Sequence, residues 1–297
     1  MNKPNLTFLV PGFSKCGTTS LCNLLNLHPD IYIPEEKEPM FFIHREYESH
    51  WEHYTAYFSS SKKHCKLGEG STFYTAIDHE REARARILLH YPDIRIILIA
   101  RDPINRIESS FREFHHSGPR FALDTPYDLH HALVELPALI GDTSFWSRLN
   151  NYKAHMDEAN IHILLLEELE TQPEKELRKC FAFLGVDSQI SLSTLTTRLN
   201  TGESKLYDTR LLRWMRAKGL VTPPHTEELF NRQNVQLERW QLRKHFSKPI
   251  FWSSEAKRYV RESLGDDIEQ FLTYTGKSKD LWPRYKMFYD NYRAEFE

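Results

Sequence analysis

A short apolar run, LTFLV at residues 6–10, leads into two glycines, Gly12 and Gly17, and then into Leu21, Leu24 and Leu25 at helical spacing. A buried strand, a glycine turn and a helix in that order open an α/β unit. Two more buried strands are expected at 94–99 (IRIILI) and 161–166 (IHILLL), with helical stretches at 79–90, 103–116 and 144–159. Strands alternating with helices argue for an α/β fold with a central parallel sheet flanked by helices. The last third differs, because no strand is expected from residue 207 onward. Residues 254–275 place Ala256, Tyr259, Val260, Leu264, Ile268, Phe271 and Leu272 on one helical face, with Ser253 or Ser254 as cap. The C-terminal third is therefore read as helical. Residues 222–248, with Pro223-Pro224 and few aliphatics, read as exposed, inside a helical excursion or lid at 206–251. The aromatic stretch 281–296 reads as a tail packed on the core.

A chain of 297 residues suits one such domain, expected over 1–297. Its 39 basic and 41 acidic residues balance to −2, which argues against a general nucleic-acid binder but not against a small local cation cluster. Apolar runs are far shorter than the ~20 residues of a membrane span, so no membrane partner is expected. Four scattered cysteines and no secretory leader point to a reducing, cytoplasmic compartment.

The turn itself carries chemistry. In GFSKCGTTS (12–20) the glycines let backbone N–H groups converge, and the following helix offers its positive end. Ser14, Cys16, Gly17, Thr18, Thr19 and Ser20 line this loop, and Lys15 supplies a full charge. The unit is P-loop-like, a three-layer arrangement, but it is not a Walker A loop. That pattern puts Lys directly after the second Gly, whereas Thr18 stands there and Lys15 lies two residues before Gly17. The apolar strand at 96–100 ends in Arg101 rather than a Walker B Asp, so no metal is expected.

A second anion site follows that strand. Asp102 and Pro103 are a natural helix cap and first residue. Arg101 then lies at a strand's carboxyl end, where open α/β sheets bind ligands, and Ser109 sits about two turns into the helix. Two such sites suit a nucleotide with separated phosphates.

These residues resemble the sulfotransferases that use 3′-phosphoadenosine-5′-phosphosulfate (PAPS). The 12–21 loop resembles their 5′-phosphosulfate loop. Arg101-Asp102-Pro103 through Arg106 to Ser109 and Phe111 resembles their 3′-phosphate motif. Leu27-His28-Pro29-Asp30 with Lys37-Glu38-Pro39-Met40-Phe41-Phe42 is similar to glycan-type and many bacterial members. EGSTFY (69–74), Glu167-Glu168-Leu169 and FLGV (183–186) fit the same family. The resemblance covers roughly 5–205, with weaker likeness at 200–205 and 276–282. Cys16 and Phe111 replace the residues usual at their positions, and 206–251 has no counterpart.

The resemblance implies sulfuryl transfer from PAPS to a hydroxyl or amine, in line and without a metal, leaving PAP (adenosine 3′,5′-bisphosphate). It implies Lys15 at the bridging oxygen, Arg101 and Ser109 on the 3′-phosphate, and Lys205 as a further contact. It points to Glu38 as general base, with Glu69 next and His115 or His116 as the histidine alternatives. The acceptor is expected to be a small molecule, a metabolite or natural product, with a glycan as the second choice. Phe41, Phe42, Tyr74, His115, Phe145 and Trp146 are its candidate lining. A P-loop kinase and a non-catalytic nucleotide-binding module are the competing readings.

Overall fold

The computed structural model describes residues 3–62, 65–190 and 205–296, with side chains to 289. Five parallel strands form the main sheet: β1 (Leu6–Gly12), β2 (Ile31–Tyr32), β3 (Lys66–Glu69), β4 (Arg95–Ala100) and β5 (Ile161–Leu165). Their order is β2-β3-β1-β4-β5. The chain moves to one side of β1 for β2 and β3, then crosses to the other side for β4 and β5. The carboxyl ends of β1 and β4 thus flank the point where the winding reverses, the place where such sheets open a crevice.

The apolar strands expected at 6–10, 94–99 and 161–166 become β1, β4 and β5, and helices form at Glu80–His90, Pro103–Ser117 and Phe145–Lys153. The last ends six residues before the expected 159, because Ala154 to Asn160 turns toward β5 through a short 3-10 segment at Glu158–Asn160. β2 and β3 carry no apolar run. They are short, and β3 reads Lys-Leu-Gly-Glu, so period and hydrophobicity give no strand signal there.

The C-terminal third is mainly helical, with one correction. Residues Leu206–Asp208 (β6) and Arg243–His245 (β7) pair as an antiparallel ribbon, where no strand was expected. Its pairing rests on charge: Arg243 Nε lies 2.8 Å from Asp208 Oδ1, and both residues are buried. A strand held by an ion pair has no apolar alternation to betray it. Helices Arg210–Ala217 and Glu227–Arg239 fill the space between β6 and β7. The 222–248 stretch is also less exposed than expected, because Phe230, Asn234, Leu237 and Arg243 are buried.

The Ser254–Thr275 helix has the expected bounds. Ser253 Oγ accepts from Ala256 N at 3.1 Å, and Gly276 closes the helix in the left-handed region. Asn200 to Gly202, part of the weaker resemblance, lies outside the described residues. In the aromatic tail, Trp282 and Tyr285 are buried against the core; the side chains of Tyr292 and Phe296 lie outside the described residues. Among the described residues no helix is long and apolar enough to cross a membrane.

Asp267 of the Ser254–Thr275 helix caps a different helix, Phe145–Lys153. Its carboxylate accepts from Trp146 N (2.9 Å), Ser147 N (2.8 Å) and Ser147 Oγ (2.6 Å). Two of these donors are unfilled N–H groups of the helix start, the third is a hydroxyl, and the carboxylate also meets the positive end of the helix. Asp267→Ala is expected to cost about 1–2 kcal/mol, read as a lower urea midpoint with unchanged slope. No shift in midpoint would mean that water replaces the cap without loss.

Candidate active site

The Gly12–Thr18 turn is built by steric exclusion. A Cβ at Gly12 would lie 2.2 Å from Thr75 Oγ1, and one at Gly17 2.7 Å from Leu166 Cδ1. Gly17 also sits at φ 92°, a conformation open mainly to glycine. Phe13 N donates to Ile99 O (2.8 Å), which ties the loop to β4. Ser14, Lys15, Gly17 and Ser20 are half-buried, Thr18 is buried and Thr19 is exposed. Cys16 points inward. Its N–H is taken by Phe13 O (3.2 Å), and burial pushes its thiol up to about 12, so it packs rather than reacts.

The β4 end holds this loop from outside. Asp102 caps the Pro103–Ser117 helix, with Oδ1 accepting from Ile104 N at 2.9 Å. Arg101 Nη1 donates to Lys15 O (3.1 Å), and Arg106 Nε donates to Ser14 O (3.1 Å). Both arginines of the second motif therefore grip carbonyls of the first. Sequence reasoning places the two motifs at neighbouring strand ends but does not show that one builds the other. Ser109, half-buried, lies further along the same helix.

Three lysines gather at this end of the sheet. Lys15 Nζ and Lys205 Nζ each lie 2.8 Å from Glu113 Oε2, and Ser117 Oγ donates to Glu113 Oε1 at 2.5 Å. Burial pulls the Glu113 carboxyl up, but Lys15, Lys205 and Ser117 outweigh it and hold it well below the usual carboxylate range. Lys37 reaches Thr18 Oγ1 (3.3 Å) and Gly70 O (3.4 Å) and pairs with Glu38 Oε1. Glu38 Oε2 accepts from Thr72 Oγ1 (3.0 Å) and Thr72 N (3.3 Å). Glu35 and Glu36 are exposed, so Glu38 is the member of that acidic run with fixed partners beside the loop. Glu113, Lys37 and Thr72 went unassigned in the sequence. The signals were present for two of them: Glu113 is one helical turn past Ser109, and Lys37 adjoins Glu38.

The other base candidates are placed differently. Glu69 is fully buried and accepts from Tyr74 OH (2.7 Å), Tyr54 OH (3.3 Å) and Ser71 N (2.7 Å). Burial raises it to about 7 despite these donors. His115 is packed among Phe111, Tyr127 and Phe246, with Arg213 Nη2 3.2 Å from its Nδ1. Burial and Arg213 hold it at about 3, too weak a base to gain from accepting a proton near neutrality. His116 Nδ1 is occupied by Leu206 N (3.1 Å). The expected acceptor lining is corrected as well. Phe41, Phe42, Tyr74 and Phe145 are core residues, Phe41 stacked on Tyr54 at 4.1 Å and Phe145 against Phe13 at 4.7 Å.

Compared with known proteins, residues 7–261 match the model of the sulfotransferase domain. The chain belongs to the sulfotransferase family. Among solved structures, this sulfotransferase is similar to one from Alicyclobacillus acidocaldarius, at 18% identity, covering 95% of this chain and 100% of that one, with a TM-score of 0.63. It is also similar to a sulfotransferase domain from the curacin biosynthetic pathway (13% identity, 89% and 99% covered, TM-score 0.49). A mouse sulfotransferase complexed with PAP matches at 16% identity over 65% of this chain and 62% of that one, with a TM-score of 0.42. The family and the parallel sheet agree: this is a transferase that moves a sulfuryl group.

Glu69 gives this sulfotransferase a testable pH signature. Its pKa rises from 4.5 to about 7 on folding, so between those values the folded state binds more protons than the unfolded one. Its contribution to stability is present at low pH and is lost as pH rises through about 7. Relative to Glu69→Gln, the wild type is expected to lose about 3 kcal/mol between pH 4.5 and 7. Urea unfolding of both proteins across that window measures it; the buried histidines, common to both, cancel. A flat difference would show that Glu69 titrates normally.

Proposed function

We propose that the chain transfers the sulfuryl group of PAPS to a hydroxyl or amine of a small-molecule acceptor, a metabolite or natural product, leaving PAP. The observation that carries this reading is the joining of two anion motifs into one object, with Arg101 and Arg106 holding the carbonyls of the Lys15 loop. A single phosphate would need only the loop. The residues fit a doubly phosphorylated donor. Arg101 Nε is buried without an acceptor among the described residues; such a donor left unmade costs about 1–3 kcal/mol, and an anionic group at the β4 end would satisfy it.

Bound PAPS supplies a sulfuryl group whose leaving 5′-phosphate gathers negative charge as the bond breaks. Lys15 Nζ stabilises that charge at the bridging oxygen, helped by the Thr18, Thr19 and Ser20 hydroxyls and the loop N–H groups. Arg101 and Ser109 hold the 3′-phosphate. Glu38, oriented by Lys37 and Thr72, takes the proton from the acceptor. His115 is assigned a packing role. The chain acts as a single domain in a reducing, cytoplasmic setting, and the 206–251 excursion flanks the acceptor side.

Thermal-shift titration tests the donor. PAP is expected to raise the melting temperature and Mg·ATP to leave it nearly unchanged; stabilisation by Mg·ATP alone would favour a kinase. A screen of alcohols and amines with labelled PAPS finds the acceptor. With that acceptor, Lys15→Ala is expected to lower kcat about 10²–10³-fold, the scale of a lost oxyanion donor. Glu38→Gln is expected to lower it by about 10²-fold or more, with little change in PAP affinity. Turnover indifferent to both changes would refute the roles of Lys15 and Glu38 in transfer.

A further inference from the structure

Glu113 belongs to neither motif, yet it joins the first to Lys205, the residue before β6. Its Oε2 lies 2.8 Å from both Lys15 Nζ and Lys205 Nζ, and Ser117 occupies its other oxygen. Two ammoniums that share one carboxylate oxygen repel each other, and the negative charge between them offsets that repulsion. The backbone beside Lys205 is fixed by the same helix. Leu206 N donates to His116 Nδ1 (3.1 Å), and Leu206 O accepts from Arg243 Nη2 (3.2 Å), which also binds His115 O and His116 O at 2.8 Å. Ser109, Glu113 and Ser117 fall four residues apart on one helical face, so one stripe runs from the proposed 3′-phosphate residue to Lys205.

We propose that Glu113 is a positioning residue for sulfuryl transfer: it pairs Lys205 with Lys15, so that Lys205 serves the phosphosulfate end of the donor rather than its 3′-phosphate. The inference rests on the PAPS reading above. Its chemical content is a trade. Glu113 subtracts one charge from an anion site and so weakens nucleotide binding, but it aims two ammoniums where charge develops in the transition state. Removing the carboxylate should therefore tighten binding and slow transfer at once, which a loss of folded structure would not do.

The test needs no identified acceptor, because slow transfer to water, PAPS plus water giving PAP and sulfate, reports the chemical step. Glu113→Gln is expected to bind PAP about threefold tighter or more in titration calorimetry, with a steeper salt dependence, while single-turnover PAPS hydrolysis slows about tenfold. Glu113→Asp, which keeps the charge but withdraws its reach, is expected to slow hydrolysis without tightening PAP. Lys205→Ala is expected to weaken competition by adenosine 5′-monophosphate and leave that by adenosine 3′-monophosphate unchanged, a readout independent of how the Glu113 variants fold. Failure of the wild type to bind PAP overturns the donor reading and this inference together. A wild type that binds PAP, with Glu113→Gln unchanged or weakened in both affinity and rate, overturns this inference alone. So does a Lys205→Ala effect confined to the 3′-monophosphate.

Discussion

The guanidinium of Arg106 is 1% exposed and would be costly to bury alone, by several kcal/mol. Its five neighbours remove that cost: Ser14 O, Ala138 O, Leu139 O, Thr143 Oγ1 and the Asp142 carboxylate. They come from separate parts of the chain. Ser14 is in the loop after β1, Arg106 is in the helix after β4, and the remaining partners lie in the short helix Ala138–Gly141 and the turn that joins it to the Phe145–Lys153 helix. One satisfied charge thus fixes the loop that carries Lys15 relative to the helix that carries Ser109 and Glu113. The bonds from Arg101 and Arg106 take up loop carbonyls and none of the loop's N–H groups.

The same helix is fastened from behind by carboxylates. Asp102 Oδ2 accepts from Arg284 N (2.9 Å) and Tyr285 N (3.1 Å), so one side chain caps the starts of two helices. Glu167 accepts from Asp102 N (2.9 Å) and Trp282 Nε1 (3.1 Å). Glu108 accepts from Trp252 Nε1 (2.9 Å) and Arg284 Nη2 (2.6 Å), and those donors hold its carboxyl low against the upward pull of burial. The C-terminal third is therefore part of the mounting of the β4 end. Its indole and backbone donors meet acids from the motif segments, which charge-assisted hydrogen bonds make firm.

Much of this was legible from local pattern. Apolar runs marked β1, β4 and β5; Asp102-Pro103 marked a helix start; Gly12, Lys15 and Gly17 marked an anion loop. Two short strands and the β6–β7 ribbon were not legible: β2 is only two residues long, β3 mixes Lys, Leu, Gly and Glu, and the three-residue strands of the ribbon share a buried ion pair, so none leaves a periodic signal. Arg243 illustrates the difficulty. In the sequence it is one more cation in an Arg- and Gln-rich stretch, yet in the fold it is fully buried and binds Asp208, Asn234 and the last carbonyls of the Pro103–Ser117 helix. Phe41, Phe42, Tyr74 and Phe145, expected as acceptor lining, fail for the opposite reason: adjacency to a motif does not bring exposure, and their rings close the core.

The sequence alone determined the α/β class, the loop, the second motif and the sulfotransferase resemblance, because glycine spacing, strand hydrophobicity and cap chemistry act over a few residues. Tertiary structure decided which charges meet. Lys15 meets Glu113, Lys205 joins them, and Glu38 is separated from its exposed neighbours by Lys37 and Thr72. Those pairings depend on how β1 and β4 lie side by side and on how the ribbon returns to the helix end. A carboxylate or ammonium carries the same letter in the sequence whether it faces water or a partner, and only burial and distance give it a role.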